Sequence, residues 1–433
     1  MYMQNFLRRS GFWIWDFLNG SHVRNHLEDI SNNLHALSHS YLIDQSNKHL
    51  LDLLIHAKKT VPYYFPARKK TFDEFPVISK TEIRNNFDAF KSTEYLGKKL
   101  FKVTTSGSTG IPFSILQDKN KVKRNKADAL FFLLKTGYRL GDRLYYFRLW
   151  KGEEKSRHMA FFQNIVKIDI STLPDKVLES IIQKITEDKS KKILFGLASS
   201  FESLNHYLEK RQIAQLDLNL ISILSTSESM SPESKRNLES VLGVPVFARY
   251  SNEEQGIIAQ QVKAKDDFYE VNWASYYVEI FEIEEDRKAP HGKLGRIVVT
   301  DLFNYSMPLI RYDTGDLGIM ESVNDKLVLS RIEGRKMDAI YNTSGDHISS
   351  YSIYPIMSRY YDKIDQYQFI QRGKKEYLIK LNLINSFPQT SSLIHDFKNL
   401  LGNDAEIQVE FVKEIPVLSS GKRKKVANIY IKK

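Results

Sequence analysis

The sequence predicts an α/β protein in two parts: a large N-terminal α/β region and a small C-terminal α+β unit. Three observations carry that expectation. From about residue 140 to 330, short apolar runs alternate with stretches of helical period, the pattern of crossovers around a largely parallel sheet. After Gly334-Arg335-Lys336-Met337-Asp338 the pattern becomes that of a smaller α+β unit. A chain of 433 residues with 42% hydrophobic and 27% charged content is also long enough for two or three domains with real cores. The parts are therefore residues 1–335, of which 1–95 form a mainly helical lead-in, and residues 336–433.

The elements follow in order. Met1 to Leu18 contains Arg8-Arg9 and then Phe12-Trp13-Ile14-Trp15, with Asp16 closing a short apolar run. It reads as an amphipathic helix packed on the body. Contact with a membrane surface is the second reading, favoured by the two tryptophans and the basic flank. There is no small-residue cleavage site and no window near the roughly 20 apolar residues of a membrane span. Asn25 to Leu37 and Lys48 to Ala57 have helical spacing. In Phe75-Pro76-Val77-Ile78-Ser79-Lys80-Thr81-Glu82, Ser79 is placed to cap a helix running through Phe87, with Glu82 at its third position. Leu100 to Val103 is a short apolar run, and Val122 to Leu134 a helix.

Strands are then expected at Leu144–Leu149, Lys192–Leu197, Leu220–Ser225, Val244–Arg249, Ser275–Ile283 and Gly295–Thr300. Helices are expected at Val177–Ile185, Ser200–Lys210 and Ser231–Leu242. In the small unit the strands are Gln366–Arg372, Tyr377–Leu383, Glu406–Val412 and Asn428–Ile431, with helices near Tyr351–Tyr361 and Ser391–Leu401.

The chain has no cysteine, which excludes disulfides, thiolate nucleophiles and cysteine-ligated zinc, and fits a reducing cytoplasm. Its formal charge of +11 is spread along the sequence without a nucleic-acid module, so anionic small molecules are the expected partners rather than nucleic acid.

The chemistry centres on Val103-Thr104-Thr105-Ser106-Gly107-Ser108-Thr109-Gly110-Ile111-Pro112. Small residues let the backbone turn tightly, so that N–H groups and hydroxyls converge on one anion. No Gly-Lys-Ser/Thr follows and no Gly-x-Gly-x-x-Gly is present here, so this is neither a Walker A loop nor a dinucleotide fingerprint. Further along come Ser227-Glu228, Tyr250-Ser251-Asn252-Glu253-Glu254, Arg311-Tyr312-Asp313-Thr314-Gly315-Asp316, Gly334 to Asp338, and Pro416 to Lys422 ending in Ser420-Gly421-Lys422.

This ordered set resembles the adenylate-forming superfamily of acyl-CoA and aryl-CoA synthetases, luciferases and peptide-synthetase adenylation domains. Phe75 to Phe87 and the overall length are most similar to the phenylacetate–CoA ligase-like branch, which includes members from surface-polysaccharide gene clusters. The resemblance runs from about residue 70 to 425. It implies activation of a carboxylic acid by ATP and Mg²⁺ as an acyl-adenylate, with pyrophosphate released, and transfer to CoA, a carrier thiol or an amine. By resemblance, Thr105, Ser106, Gly107, Ser108, Thr109 and Gly110 hold the β/γ-phosphates, and Ser227 and Glu228 add to the nucleotide site. Tyr250 offers a face to adenine beside Ser251, Glu254 is the Mg²⁺ carboxylate, and Asp316 takes the ribose hydroxyls. Arg335 faces ribose or phosphate, Asp338 is the interdomain hinge, and Lys422 is the catalytic lysine. Two positions depart from the pattern: Ser251 stands where the superfamily has glycine, and Glu253 where it has a small hydroxyl residue. A fold kept for assembly at a membrane surface without catalysis is the alternative from another class.

Overall fold

The structure is a computed structural model that describes residues 2–34, 39–105, 113–148, 150, 163–170, 173–335, 340–348, 352–353, 356–357, 359–360, 363–384, 386–416 and 425–430. Helices α1 (Tyr2–Leu18), α2 (His22–Leu34) and α3 (His39–Thr60) form the lead-in. Helix α4 (Lys80–Asn85) starts as predicted, with the Ser79 hydroxyl accepting from the Glu82 N–H at 3.2 Å, and stops two residues short of Phe87. Strands β1 (Phe101–Thr105) and β2 (Phe113–Gln117) pair as a hairpin in which Thr105 lies opposite Phe113. Helix α5 (Lys119–Leu134) is capped by Asp118, which accepts from the Lys121 N–H at 2.9 Å.

The large sheet has a parallel and an antiparallel half. The parallel half contains β3 (Arg143–Arg148), β4 (Ile165–Asp169), β5 (Lys192–Leu197), β6 (Leu220–Thr226) and β7 (Val246–Asn252), side by side in the order β4-β3-β5-β6-β7. Helices α6 (Asp175–Glu187), α7 (Ala198–Lys210) and α8 (Pro232–Leu242) connect them, and apolar residues of both layers, such as Leu194, Phe201, Ile223 and Leu238, share one core. The second half continues through β8 (Gly256–Gln260), β9 (Tyr269–Val271), β10 (Tyr276–Phe281), β11 (Gly295–Asp301), β12 (Tyr312–Val323) and β13 (Lys326–Arg335), in the order β8-β9-β13-β12-β11-β10. Every pairing there is antiparallel, which corrects the expectation of a largely parallel sheet. The sequence pattern had pointed to only β10 and β11 of these six strands.

In the C-terminal unit, the short hairpin of β14 (Ile340–Tyr341) and β15 (His347–Ile348) precedes a sheet of β16 (Ile364–Gln371), β17 (Glu376–Leu383), β18 (Glu406–Phe411) and β19 (Val426–Asn428). Its order is β18-β17-β16-β19, with α9 (Thr390–Leu401) packing Leu393 and Phe397 onto Phe369 and Ile379. The last strand begins two residues before its predicted start, and the helix expected at Tyr351–Tyr361 lies partly outside the described residues. Among the described residues, no helix is long and apolar enough to cross a membrane.

Candidate functional site

The parallel strands end where the predicted site residues begin, and the crevice beyond the carboxyl ends of such strands is the usual ligand position of an open α/β sheet. Strand β6 ends at Thr226, and Ser227 turns the chain with a left-handed φ of +69°. The Glu228 carboxylate then accepts from the Ser199 N–H at 3.0 Å, in the first turn of α7, where a helix N-terminus favours negative charge. Next to it, the Ser251 hydroxyl on β7 lies 3.3 Å from the Thr226 hydroxyl.

Tyr250 is 9% exposed and belongs to the core beneath the antiparallel half. Its hydroxyl donates to Asp316 Oδ2 at 2.8 Å and lies 3.3 Å from Thr314 Oγ1. Burial, reinforced by the Asp316 carboxylate, holds the Tyr250 phenol protonated far above its ordinary range, so it stays a donor. Asp316 sits just past Gly315, whose φ of +80° suits glycine, and its N–H donates to Thr314 Oγ1 at 3.2 Å. Across the β12–β13 ladder, Asp316 and Arg335 are direct register partners. The fold therefore brings Tyr250, Asp316 and the Arg335 backbone to one place, although they are far apart in sequence.

A second group surrounds Glu254. This residue is 2% exposed, whereas the neighbouring Glu253 is exposed, so the fold separates the two carboxylates the sequence had left side by side. Glu254 Oε1 lies 2.7 Å from Lys80 Nζ and accepts from the Tyr312 hydroxyl at 3.0 Å. The Glu254 backbone carbonyl accepts from Gln117 Nε2 at 3.0 Å, which ties it to the end of β2. Phe113, the first residue after the hydroxyl-rich loop, stacks on Tyr312 with centroids 6.3 Å apart, and Lys80 Nζ is 5.8 Å from the Phe113 ring centroid. Lys80, Tyr312 and Glu254 thus stand where the loop leaves and re-enters the β1–β2 hairpin. Sequence reasoning placed Lys80 only as the start of a helix. Its lysine at a helix N-terminus, where the dipole disfavours a cation, was the one signal available.

Ser106, Gly107, Ser108, Thr109, Gly110, Asp338 and Lys422 lie outside the described residues, and for Thr105 and Arg335 only the strand position is described. The segment carrying Lys422 is followed by Lys425, whose ammonium pairs with Glu202 Oε2 on α7. Burial alone would lower the Lys425 pKa, but the Glu202 carboxylate outweighs it and the ammonium is held charged. Glu202 Oε1 also accepts from the Ser231 N–H at 3.2 Å, so this contact fastens the C-terminal unit beside the ends of β5 and β6.

Among the described residues, no group of three or more His, Cys, Asp or Glu side chains gathers as a metal cage. A single buried carboxylate instead suits a hard cation that takes only one or two ligands from the protein and the rest from other oxygens, as Mg²⁺ does.

Residues 340–429 match the CapK C-terminal domain family. The chain is 21% identical to Protein CapK of Staphylococcus aureus over 89% of each chain. It is 22% identical to the phenylacetate-coenzyme A ligase of Pseudomonas putida, over 82% of this chain and 75% of the relative. A 2-hydroxyisobutyryl-CoA ligase, solved in the postadenylation state in complex with R3-HIB-AMP, superposes with a TM-score of 0.70 at 15% identity, over 91% of this chain and 89% of that one.

Proposed function

We propose that this chain, homologous to CapK and phenylacetate-CoA ligase and sharing the fold of the adenylate-forming ligases, activates a carboxylic acid with ATP. The acid oxygen attacks the α-phosphorus, the bond to the pyrophosphate leaving group breaks, and an acyl-adenylate forms. The observation that carries this reading is that the hydrogen-bonded pair Tyr250–Asp316 lies within electrostatic reach of buried Glu254 and its partner Tyr312, on which Phe113 stacks where the chain leaves the hydroxyl-rich loop. Such a step needs positioning and charge stabilisation more than covalent help.

In this assignment Asp316 accepts the ribose hydroxyls, with the Tyr250 hydroxyl fixing its carboxylate and the Tyr250 ring bordering adenine beside Ser251. Thr105 to Gly110 receive the β/γ-phosphates, Ser227 and Glu228 line the nucleotide side, and Arg335 meets ribose or phosphate. Glu254 would hold Mg²⁺, which when bound neutralises phosphate charge. Lys422 reaches the α-phosphate and the acid's oxygen, and Asp338 is the hinge between residues 1–335 and 336–433. The acyl group passes to CoA, in keeping with the phenylacetate-CoA ligase relative. Transfer to an amine during tailoring of a cell-surface polysaccharide is the second reading, favoured by the CapK match over the C-terminal unit. We place the reaction in the cytoplasm, in keeping with the absence of cysteine.

The test is pyrophosphate release with ATP and Mg²⁺ across aryl, fatty, amino and uronic acids, with hydroxylamine as acceptor and then with CoA. Activity with hydroxylamine supports adenylation, and stimulation by CoA decides for the thioester. No release with any acid, in a protein that still binds ATP, counts against the enzyme and favours the assembly reading. Lys422→Ala should lower release about 10²–10³-fold while ATP binding, read by calorimetry, is kept. Asp316→Ala should weaken ATP about 10- to 100-fold, the value of a charge-assisted hydrogen-bond pair, and unchanged ATP affinity would remove Asp316 from the ribose site.

A further inference from the structure

Helix α1 is docked with its polar side inward. Asn5 donates to Asp142 Oδ1 at 3.2 Å, Arg8 and Asp16 are buried, and the Asp16 carboxylate accepts from the Val23 and Arg24 N–H groups at 3.0 Å, capping α2. Gly141 approaches so closely that a Cβ there would lie 2.7 Å from the Asn5 carbonyl. The helix is held firmly, yet its outer face is apolar. Met3, Phe6, Leu7, Ile14, Phe17 and Leu18 recur at three- and four-residue steps, each between 57% and 76% exposed, and the residues between them on that face, Ser10 and Gly11, carry no charge. An amphipathic helix packed only for the monomer would be turned the other way. A contiguous apolar face of this kind marks a surface that something covers.

The edges of the face indicate what covers it. Trp13 lies at one edge with the exposed Arg24 guanidinium 5.1 Å from its ring centroid, and half-exposed Trp15 at the other with Lys126 Nζ at 5.9 Å. Exposed Arg9 stands 5.9 Å from the Phe6 ring. Aromatic rings and cations bordering an apolar stripe match the layering of a bilayer surface, where acyl chains give way to anionic headgroups. A second copy of the chain is disfavoured, because pairing two such faces brings their cationic edges together. We infer that α1 is a membrane-surface anchor, seating its apolar face in the headgroup–acyl boundary of an anionic bilayer. The anchor is separate from the ATP site and stands whether or not that assignment holds.

The experiment is sedimentation of the full chain with phosphatidylglycerol/phosphatidylcholine vesicles and with pure phosphatidylcholine vesicles, beside sedimentation velocity of the protein alone. Expected are binding to the anionic vesicles that weakens with salt, and at least about a tenfold loss in Phe6→Ser/Phe17→Ser with unchanged circular dichroism and melting. Both side chains are exposed, so their loss does not undermine folding. A severalfold loss in Arg9→Gln/Lys126→Gln supports the headgroup contact. No binding to anionic vesicles at low salt overturns the inference, as does equal binding by the Phe6/Phe17 variant. A dimer dissolved by those same substitutions also overturns it, by assigning the face to self-association.

Discussion

Glu254→Gln is expected to abolish most ATP-dependent pyrophosphate release, about 10²–10³-fold, the scale of losing one preorganised electrostatic group at a developing charge. The physical reason lies in how that carboxylate is kept. The carboxylate is buried, and its negative charge is balanced by Lys80 Nζ at 2.7 Å and the Tyr312 hydroxyl at 3.0 Å. Removing the cation instead leaves that charge without compensation. Lys80→Met should therefore destabilise the fold, and because the lysine side chain is 30% exposed the loss should be about 1–3 kcal/mol, below the range for a fully buried pair. The double variant Lys80→Met/Glu254→Gln separates the two effects. Urea denaturation should show it recovering stability relative to Lys80→Met, since a neutral amide needs no counter-charge, while pyrophosphate release stays as low as in Glu254→Gln. If Glu254→Gln keeps full activity, Glu254 is a structural partner of Lys80 and the metal assignment falls.

What the sequence revealed of this arrangement depended on how local each signal was. Strand β5 has the limits expected from its pattern because it is buried on both faces, so its apolar run is continuous and needs no partner to be recognised. Strand β12 was hidden because its first residues carry the Asp-Thr-Gly-Asp signature of a turn. It is a strand only because β11 and β13 flank it on either side. The motif residues Tyr250 and Asp316 were visible as residue types in order. Their hydrogen bond was not, since it depends on the register of an antiparallel half that the sequence pattern barely marks. Lys80 illustrates the limit most clearly. A capped helix start accounts for its neighbours Ser79 and Glu82, and nothing local shows that its ammonium crosses to Glu254.

Lys121→Met is expected to cost the most stability of any single change considered for this chain, about 3–5 kcal/mol, the cost of breaking a fully buried ion pair from one side. Lys121 and Asp301 are both wholly buried, with Nζ and Oδ2 2.7 Å apart, and the Tyr276 hydroxyl lies 3.1 Å from the same ammonium. Burial already pushes the Asp301 carboxyl above its ordinary value, and Lys121 is the main influence pulling it back. Methionine fills a similar volume, so the loss reports the uncompensated charge rather than a cavity. The pH dependence then has a definite sign. A carboxyl whose folded pKa lies above its unfolded value favours folding most below the unfolded pKa, near 4. That advantage is lost at about 1.4 kcal/mol per unit as pH rises toward the folded pKa. The deficit of Lys121→Met relative to the parent should therefore be smaller at about pH 5 than at about pH 8, because lower pH favours the protonated Asp301 that needs no partner. Paired urea titrations at the two pH values measure it. An equal deficit at both would mean that the lost contacts are packing contacts and that Asp301 is solvated once the lysine is gone. Asp301→Asn in the Lys121→Met background should remove this pH dependence of the deficit, because the carboxyl that Lys121 pairs with is then gone.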